Sequence, residues 1–571
     1  MQALRICSLT AQMRRTVPQL SQKVYDVAII GGGIYGISVA RDAAMRGLSV
    51  ALVEQGDFGN ATSANHHKII HGGLRYLQHL NLKRMRESIR ERTTLIRIAP
   101  HLVHPMLFLI PTYRDFLQGK LIMSVALTLN DLISFDRNRN LECQQIIPPG
   151  RIISKAECLR LCPSLDESRL TGGALFFDAQ VYNPDRLNLS LLLSAAGAGA
   201  DLANYAQVVG FLRHRNTVTG MRVRDLLSGD MVEVRARVIV NCAGPWIDCV
   251  LQLLRGPEQQ QRIKFLKAVV LVTRPLVQKV AFGIPSRFRY QDKDTLINKG
   301  HRYFFISPWR NTSLIGTFQA PYGGDPGACE VTEQEIHDFI QQVNAAFPGA
   351  GLKRNEVHFV YHGLLPRVDI DGQPSDVQLI KHYEIYDHAA EEGIDRLISV
   401  LGIKYTTARG VAEKTVDLVL QKLGRTHVRC RTAMIPLPEG RMKRFHEFMD
   451  HTLGRKVAGV DTETLRHLLL THGAEFEKIL QYGEEDPKWN QLVTNNSPVI
   501  KAQVIHGIRE EMAQKLCDVI FRRTDLGTAG HPGNECFVTC AEIMAAELGW
   551  TKKRLSQEIE EVESVFHRRQ S

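Results

Sequence analysis

Gly31, Gly33 and Gly36 fall at G-x-G-x-x-G spacing, directly after the apolar run Val27–Ile30 and before a helical stretch. Each glycine answers a separate need of a dinucleotide phosphate. Gly31 permits a tight turn, Gly33 lets backbone approach a pyrophosphate, and Gly36 lets the helix pack close to the sheet. The helix start then offers unpaired N–H groups and a positive dipole end to the phosphates. Glu54 closes the next apolar run, where a carboxylate can accept from ribose hydroxyls. A second cluster, Ala61–Gln78 (ATSANHHKIIHGGLRYLQ), follows at once. A nicotinamide site does not need such a loop. A flavin site does, because the isoalloxazine ring extends away from the pyrophosphate and must be held by a second segment.

These residues require elements to carry them. Tyr25–Glu54 reads as strand, glycine turn, helix and strand, one βαβ unit. A long helical pattern runs from Leu82 to Ala99, residues 116–165 read as a mainly helical insertion, and 172–182 as extended chain before a helix, Pro184–Ala200. Strands alternate through Val208–Arg213, Gly220–Asp225 and Val232–Val240, the last entering Asn241-Cys242-Ala243-Gly244-Pro245-Trp246. Residues 262–320 are strand-rich, and Leu397–Leu401 reads as a buried strand entering Gly402-Ile403-Lys404-Tyr405-Thr406-Thr407. Amphipathic helices over 462–482 and 497–523, and a helical, highly charged stretch over 539–568, form a C-terminal all-α domain. The expected division is 1–23 basic extension, 24–261 and 356–430 dinucleotide-binding, 262–355 β-rich substrate domain, and 431–571 helical.

The chain has 571 residues, 44% hydrophobic and 23% charged, the composition of a multi-domain globular protein. No uninterrupted apolar run spans a bilayer; Leu187–Ala206 and Leu121–Phe135 are broken by polar residues or glycine. A net charge of +11 favours anionic surfaces or substrates, and no nucleic-acid motif accompanies it. The eleven cysteines are scattered, and Cys158/Cys162 and Cys536/Cys540 are four apart, a helical repeat and not a metal or redox motif. No metal site is expected. Residues 1–23, with Arg5, Arg14, Arg15 and Lys23, resemble a mitochondrial presequence or a bacterial N-terminal extension and are set outside the expected fold.

The glycine motif, then Thr62-Ser63 and Lys68-Ile69-Ile70-His71-Gly72-Gly73-Leu74-Arg75-Tyr76-Leu77, then Gly244-Pro245-Trp246, Arg302–Thr317 and Leu401–Arg409, together resemble the FAD-dependent respiratory glycerol-3-phosphate dehydrogenases. The resemblance covers about 24–530 and implies a Rossmann-like FAD-binding domain of the D-amino-acid-oxidase-like (glutathione-reductase-like) α/β type. It implies that Thr62, Ser63, Lys68, His71, Gly72 and Gly73 lie along the flavin, with Lys68 alternatively a surface lysine and His71 a core histidine. Arg75, Tyr76, Arg302 and Lys404 match substrate-pocket positions, where an arginine suits a phosphate dianion. Gly244 and Pro245 match the loop that closes over the dinucleotide, and Gly402, Thr406 and Thr407 the turn that approaches the ring.

Three departures stand against that pattern. The family K-G-x-H becomes Lys267-Ala268-Val269-Val270, S-G-V-R-P becomes His362-Gly363-Leu364-Leu365-Pro366, and G-T-T-D becomes Gly316-Thr317-Phe318-Gln319. A pocket histidine and a phosphate arginine are thus replaced by Val270 and Leu365. Arg367, His362, His66 and His67 are the available compensations. The resemblance implies oxidation of glycerol 3-phosphate, or a related anion, to dihydroxyacetone phosphate by hydride transfer to flavin N5. His71 and His362 are candidate bases, and quinone or oxygen is the acceptor. Peripheral attachment to the cytoplasmic face of a bacterial inner membrane, a mitochondrial site in a eukaryote, and a homodimer are further expectations. The alternatives are a dehydrogenase or oxidase of the same fold for another hydroxy or amino substrate, and a flavin-stabilised membrane-associated protein without turnover.

Overall fold

The computed structural model describes residues 13–114, 119–256, 263–289, 301–369, 377–379, 382–455, 457 and 459–570. Two large sheets organise them. The first places Leu397–Leu401, Met231–Asn241, Val24–Ile30, Val50–Val53 and Asp201–Ala203 side by side and parallel, with Glu384–Asp387 antiparallel at one edge. Val27 pairs with Val50 on one side and Val238 on the other. These strands read as continuous apolar runs because both faces are covered. On one face, helices Ile34–Met45, Pro184–Gly197 and Ala408–Lys422 pack Ala40, Ala43, Leu192, Val411 and Val416 against the strands. On the other lie the hairpin Ala206–His214 and Thr217–Asp225 and the helix Ile247–Arg255.

The second sheet has ten strands and is antiparallel except where Ala281–Arg289 meets Val103–Tyr113. Its order interleaves distant parts of the chain. Val377–Leu379, Val357–Asp369, Lys264–Thr273, Thr312–Tyr322, His301–Trp309 and Ala281–Arg289 continue into Val103–Tyr113, Leu170–Val181 and Ile69–Ile70. The boundaries expected at 261/262 and 355/356 therefore do not follow sheet membership. Val357–Asp369 pairs along Lys264–Thr273, with Leu266 opposite Leu365 and Val270 opposite Tyr361. Pairing is set by alternation of buried faces, which proximity in sequence does not reveal. Helix Glu333–Ala346, opened by a Thr332/Glu335 capping box, covers one face through Ile336, Phe339 and Ile340.

The insertion near 116–165 contains helices Lys120–Ile133 and Lys155–Leu161. The helices beyond Phe445 pack on the other side of the second sheet, where Val272, Trp309, Leu314 and Phe359 meet Val504, Val519, Phe537 and Phe566. The charged helical stretch expected over 539–568 is built of two helices, Asn534–Leu548 and Lys552–Gln570, separated where Gly549 takes a left-handed conformation (φ 67°) that closes the first.

Buried ion pairs tie the helical domain to the dinucleotide half. Asp57 accepts from Arg522 Nε and Arg523 Nη1, both at 2.5 Å. Arg186 donates to both Glu511 oxygens at 2.7 Å and contacts His472 Nδ1 at 3.2 Å. His506 Nε2 also lies 3.5 Å from Glu511, so this buried carboxylate is shared by the Arg186 guanidinium and His506. Residues 13–23, expected outside the fold, instead pack on it. Val17 and Leu20 are buried in the cluster behind the first sheet, and Arg15 pairs with Asp225 at 2.6 Å. Apolar residues within a basic stretch carry that docking. Among the described residues no helix is long and apolar enough to cross a membrane.

Candidate functional site

The glycine turn is shaped by contacts that admit no side chain. A Cβ on Gly36 would stand 1.9 Å from the Gly31 carbonyl oxygen, and one on Gly31 (φ 101°) 2.6 Å from the Cys242 carbonyl oxygen. A Cβ on Gly33 would meet Ser63 Oγ at 3.2 Å, at the mouth of a cavity of about 410 Å³. The cavity runs from Glu54 past Gly31, Gly33 and Gly244 to His66, Leu364, Leu365, Lys404 and Tyr405. Glu54 is fixed by two backbone donors, Gly32 N–H at 2.6 Å and Gly56 N–H at 2.8 Å. Burial pushes its carboxyl up, and those two bonds oppose the shift.

Ser63 sits at the helix end of the cavity, where its Oγ accepts from Ile34 N–H at 3.0 Å. Thr62 lines the wall and reaches the Leu364 carbonyl at 3.4 Å. Gly244 (φ 56°), Pro245 and Trp246 form the opposite lip. Tyr35, in the first turn of the helix after the glycines, is a residue the sequence reasoning missed. Its hydroxyl donates to the Lys404 carbonyl at 2.8 Å and receives the N–H groups of Ile403 and Lys404, each at 3.0 Å. A Cβ on Gly402 would stand 2.1 Å from the Tyr35 ring. One tyrosine thus ties the phosphate turn to the 402–407 turn. A signal was available in sequence: an aromatic at the first helical turn and a glycine opposite it.

At the far end the cavity adjoins a small pocket lined by Tyr76, Arg84, His382, Tyr383, Lys404 and Thr407. Lys404 Nζ lies 3.7 Å from the Tyr76 ring centroid, and the Arg84 guanidinium 4.9 Å from it. The structure therefore brings Tyr76, Lys404 and Thr407 together and adds Arg84, from the helical stretch Leu82–Ala99, which sequence reasoning did not single out. The Arg75 and Arg302 side chains lie outside the described residues.

His71 and its neighbours form a separate constellation. Gly72 N–H donates to buried Asp178 at 2.5 Å, and Arg92 pairs with the same carboxylate at 2.5 Å. His71 Nδ1 lies 3.7 Å from the other Asp178 oxygen, leaving the ring half-exposed, and His71 N–H donates to Thr406 Oγ1 at 3.2 Å. Burial alone would raise the Asp178 carboxyl; the bonds from His71, Arg92 and Gly72 outweigh it and hold it low. A Cβ on Gly72 would stand 2.2 Å from an Arg92 guanidinium nitrogen, and Gly73 (φ 90°) is left-handed against the Tyr76 ring. The paired glycines thus serve Arg92 and Tyr76.

Three other candidates stand apart from the cavity. Lys68 is buried with Nζ 3.8 Å from the Tyr361 ring and 4.7 Å from Trp309, on the side facing the helical domain. Its backbone is left-handed (φ 61°), just before the short strand Ile69–Ile70. His362 is turned by strand alternation to the Cys329 carbonyl, 2.8 Å from Nε2. His67 is buried against the Leu314 carbonyl at 3.2 Å, and burial lowers its ring to about 4. His66 does line the cavity, 4.6 Å from the Tyr405 ring, and burial holds it neutral. Val270 packs into the core shared with the helical domain, while Leu365 lines the cavity wall.

The cradle fits FAD. The turn admits backbone-close phosphates, Glu54 is held at the ribose end, and the cavity continues well past the glycines to a cationic end.

Known proteins give the same picture. Residues 26–418 match the FAD dependent oxidoreductase family, and residues 430–555 match the C-terminal domain of alpha-glycerophosphate oxidase. The chain is similar to a glycerol-3-phosphate dehydrogenase of Synechocystis sp., with 32% identity over 96% of this chain and 97% of that one. It is 30% identical to a mitochondrial glycerol-3-phosphate dehydrogenase of Mesocricetus auratus, over 94% of this chain and 72% of that one. Its fold matches the crystal structure of a glycerol-3-phosphate dehydrogenase from Bacillus halodurans complexed with FAD. The TM-score is 0.74, at 24% identity over 97% of each chain.

Proposed function

We propose, for a chain that belongs to the FAD-dependent glycerol-3-phosphate dehydrogenases, that it oxidises the secondary alcohol of glycerol 3-phosphate to dihydroxyacetone phosphate, with the phosphate held at the Lys404 end of the cavity. The observation that carries this reading is the pairing of Lys404 and Arg84 on one tyrosine ring, Tyr76, where the flavin cavity ends. Two cations beside an opening suit a dianion better than a neutral alcohol. FAD, when bound, supplies the two-electron acceptor that takes the hydride from the alcohol carbon.

The chain's residues do the rest. Lys404 and Arg84 orient the phosphate, and Tyr35 holds the backbone on which Lys404 rides. His71 takes the hydroxyl proton. Asp178, ionised and itself held by Arg92 and Gly72 N–H, lies nearest His71 Nδ1 and so leaves Nε2 as the proton acceptor. A lipid-soluble quinone is the proposed acceptor, met at a membrane surface, with oxygen the alternative.

Steady-state rates with glycerol 3-phosphate, glycerol and a set of hydroxy and amino acids test the reading. The expected order puts glycerol 3-phosphate first, and Lys404→Met lowers kcat/KM roughly ten- to 150-fold, the worth of one charge-assisted bond. Leu365 on the cavity wall is the observation that favours a different substrate. Faster turnover of another hydroxy or amino acid would establish that second reading instead.

A further inference from the structure

Fifteen large apolar side chains stand exposed among the described residues, and seven of them fall between 80 and 135. Five lie on one helix, Lys120–Ile133, and its exit: Leu121, Val125, Leu129, Leu132 and Phe135. Steps of four, four, three and three keep them on one stripe of a helix. Leu121, Leu132 and Phe135 are 73%, 66% and 81% exposed, side chains that stand largely open to solvent. The opposite face is occupied: Ala126 and Ile133 pack on Leu77, Met85 and Ile89, and Leu127 is buried. Exposed Leu80 and Leu82 extend the apolar surface at the turn packed beside this helix.

The charges around the stripe are one-sided. Lys120 opens the helix, Lys83 adjoins Leu82, and the Arg86 guanidinium lies 4.9 Å from the Phe135 ring, with exposed Arg90 one turn on. The acids here are already taken. Asp136 pairs with Arg86 at 2.5 Å, and Asp131 with Arg137 at 2.9 Å and with Gly150 N–H at 3.0 Å. An apolar stripe bordered by the exposed cations Lys83, Arg90 and Lys120, with the acids Asp131 and Asp136 beside it among the described residues already paired, matches the acyl boundary and anionic headgroups of a bilayer. The helix has 14 residues, too short to cross and suited to lying in the interface.

We infer that the Lys120–Ile133 helix, with Phe135, Leu80 and Leu82, is the surface by which this protein docks on an anionic lipid bilayer. This deepens the membrane contact proposed above by naming its surface. It also places the bilayer beside the turn that carries Tyr76, since Leu80 closes the short helix Leu74–His79.

The full-length holoenzyme is floated with vesicles of phosphatidylcholine alone or of equal parts phosphatidylcholine and phosphatidylglycerol. The native chain floats with the anionic vesicles and less so as salt rises. A Leu121→Ser/Leu132→Ser/Phe135→Ser variant partitions at least tenfold less, while glycerol 3-phosphate still bleaches its flavin in detergent-free buffer. A Lys83→Gln/Lys120→Gln variant loses the preference for phosphatidylglycerol. Flotation of the serine variant at the native level overturns this surface and leaves membrane contact elsewhere. No flotation of the native chain overturns both, without touching the substrate reading. A native dimer that the serine substitutions dissociate, with no flotation, assigns the face to a second copy and overturns the lipid proposal.

Discussion

Replacing Tyr35 with phenylalanine isolates one oxygen atom. The ring that presses on Gly402 remains, and the hydroxyl shared by the Lys404 carbonyl and the Ile403 and Lys404 amides is lost. Two inward-facing N–H groups and one carbonyl then lack their partner. An orphaned buried group costs roughly 1–3 kcal/mol. Ile403 and Lys404 line the cavity, so water re-satisfies part of the loss from the three groups, and the middle of that range applies to the turn as a whole. A local cost of about 2 kcal/mol makes opening of the 402–407 turn about thirtyfold more frequent. Hydrogen exchange read by mass spectrometry over a peptide spanning 401–408 measures it directly. The amides of Ile403 and Lys404 should exchange about thirtyfold faster than in the native chain, in the regime where exchange follows local opening. KM for glycerol 3-phosphate should rise with it, because Lys404 rides on that turn, while the tyrosine ring contacts keep the global fold. Unchanged exchange over 401–408 would refute the claim that this hydroxyl couples the phosphate turn to the substrate end.

Gly36→Ala inserts a methyl 1.9 Å from the Gly31 carbonyl, a clash between backbones that no rotamer relieves. The strain of about 1–3 kcal/mol should fall on the glycine turn, so the purified variant carries less flavin, read from its absorbance per protein. Leu365→Arg places a guanidinium on the cavity wall and should lower KM for glycerol 3-phosphate without improving glycerol; unchanged KM would show that the wall does not reach the phosphate. Asp57 lies between Arg522 and Arg523, fully buried, and the two guanidiniums hold its carboxyl far below the ordinary range despite burial. A depressed folded value contributes stability that is present above the unfolded carboxylate value and is lost as pH falls below it. Acid unfolding beginning near pH ~4 should therefore flatten in Asp57→Asn, which also loses about 3–5 kcal/mol at neutral pH; denaturant midpoints across pH check both.

The dinucleotide half was legible because its signals are local. The glycine spacing, the apolar strands and Glu54 lie within one short stretch, and each has a mechanical reason that survives folding. Lys404 and Tyr76 were reached through family resemblance, and the fold brings their side chains into contact across more than three hundred residues. What sequence did not give are facts of tertiary alternation. Lys68, left-handed in its backbone, lies against Tyr361 and Trp309, and His362 faces Cys329 because strand parity turns it there. Arg84 and Asp178 enter the site from a helix and a strand whose packing partners no spacing rule names. The sheet containing Val357–Asp369 draws strands from both halves of the chain, a pairing that neither composition nor spacing reveals.

The central claim is that this cavity holds FAD and that glycerol 3-phosphate reduces it. An anaerobic titration of the purified holoenzyme with glycerol 3-phosphate, followed in the visible flavin bands, tests both parts at once. The predicted result is bleaching that saturates with one equivalent of substrate oxidised per flavin, with glycerol far less effective. A yellow protein whose flavin glycerol 3-phosphate leaves oxidised at any concentration would contradict the account.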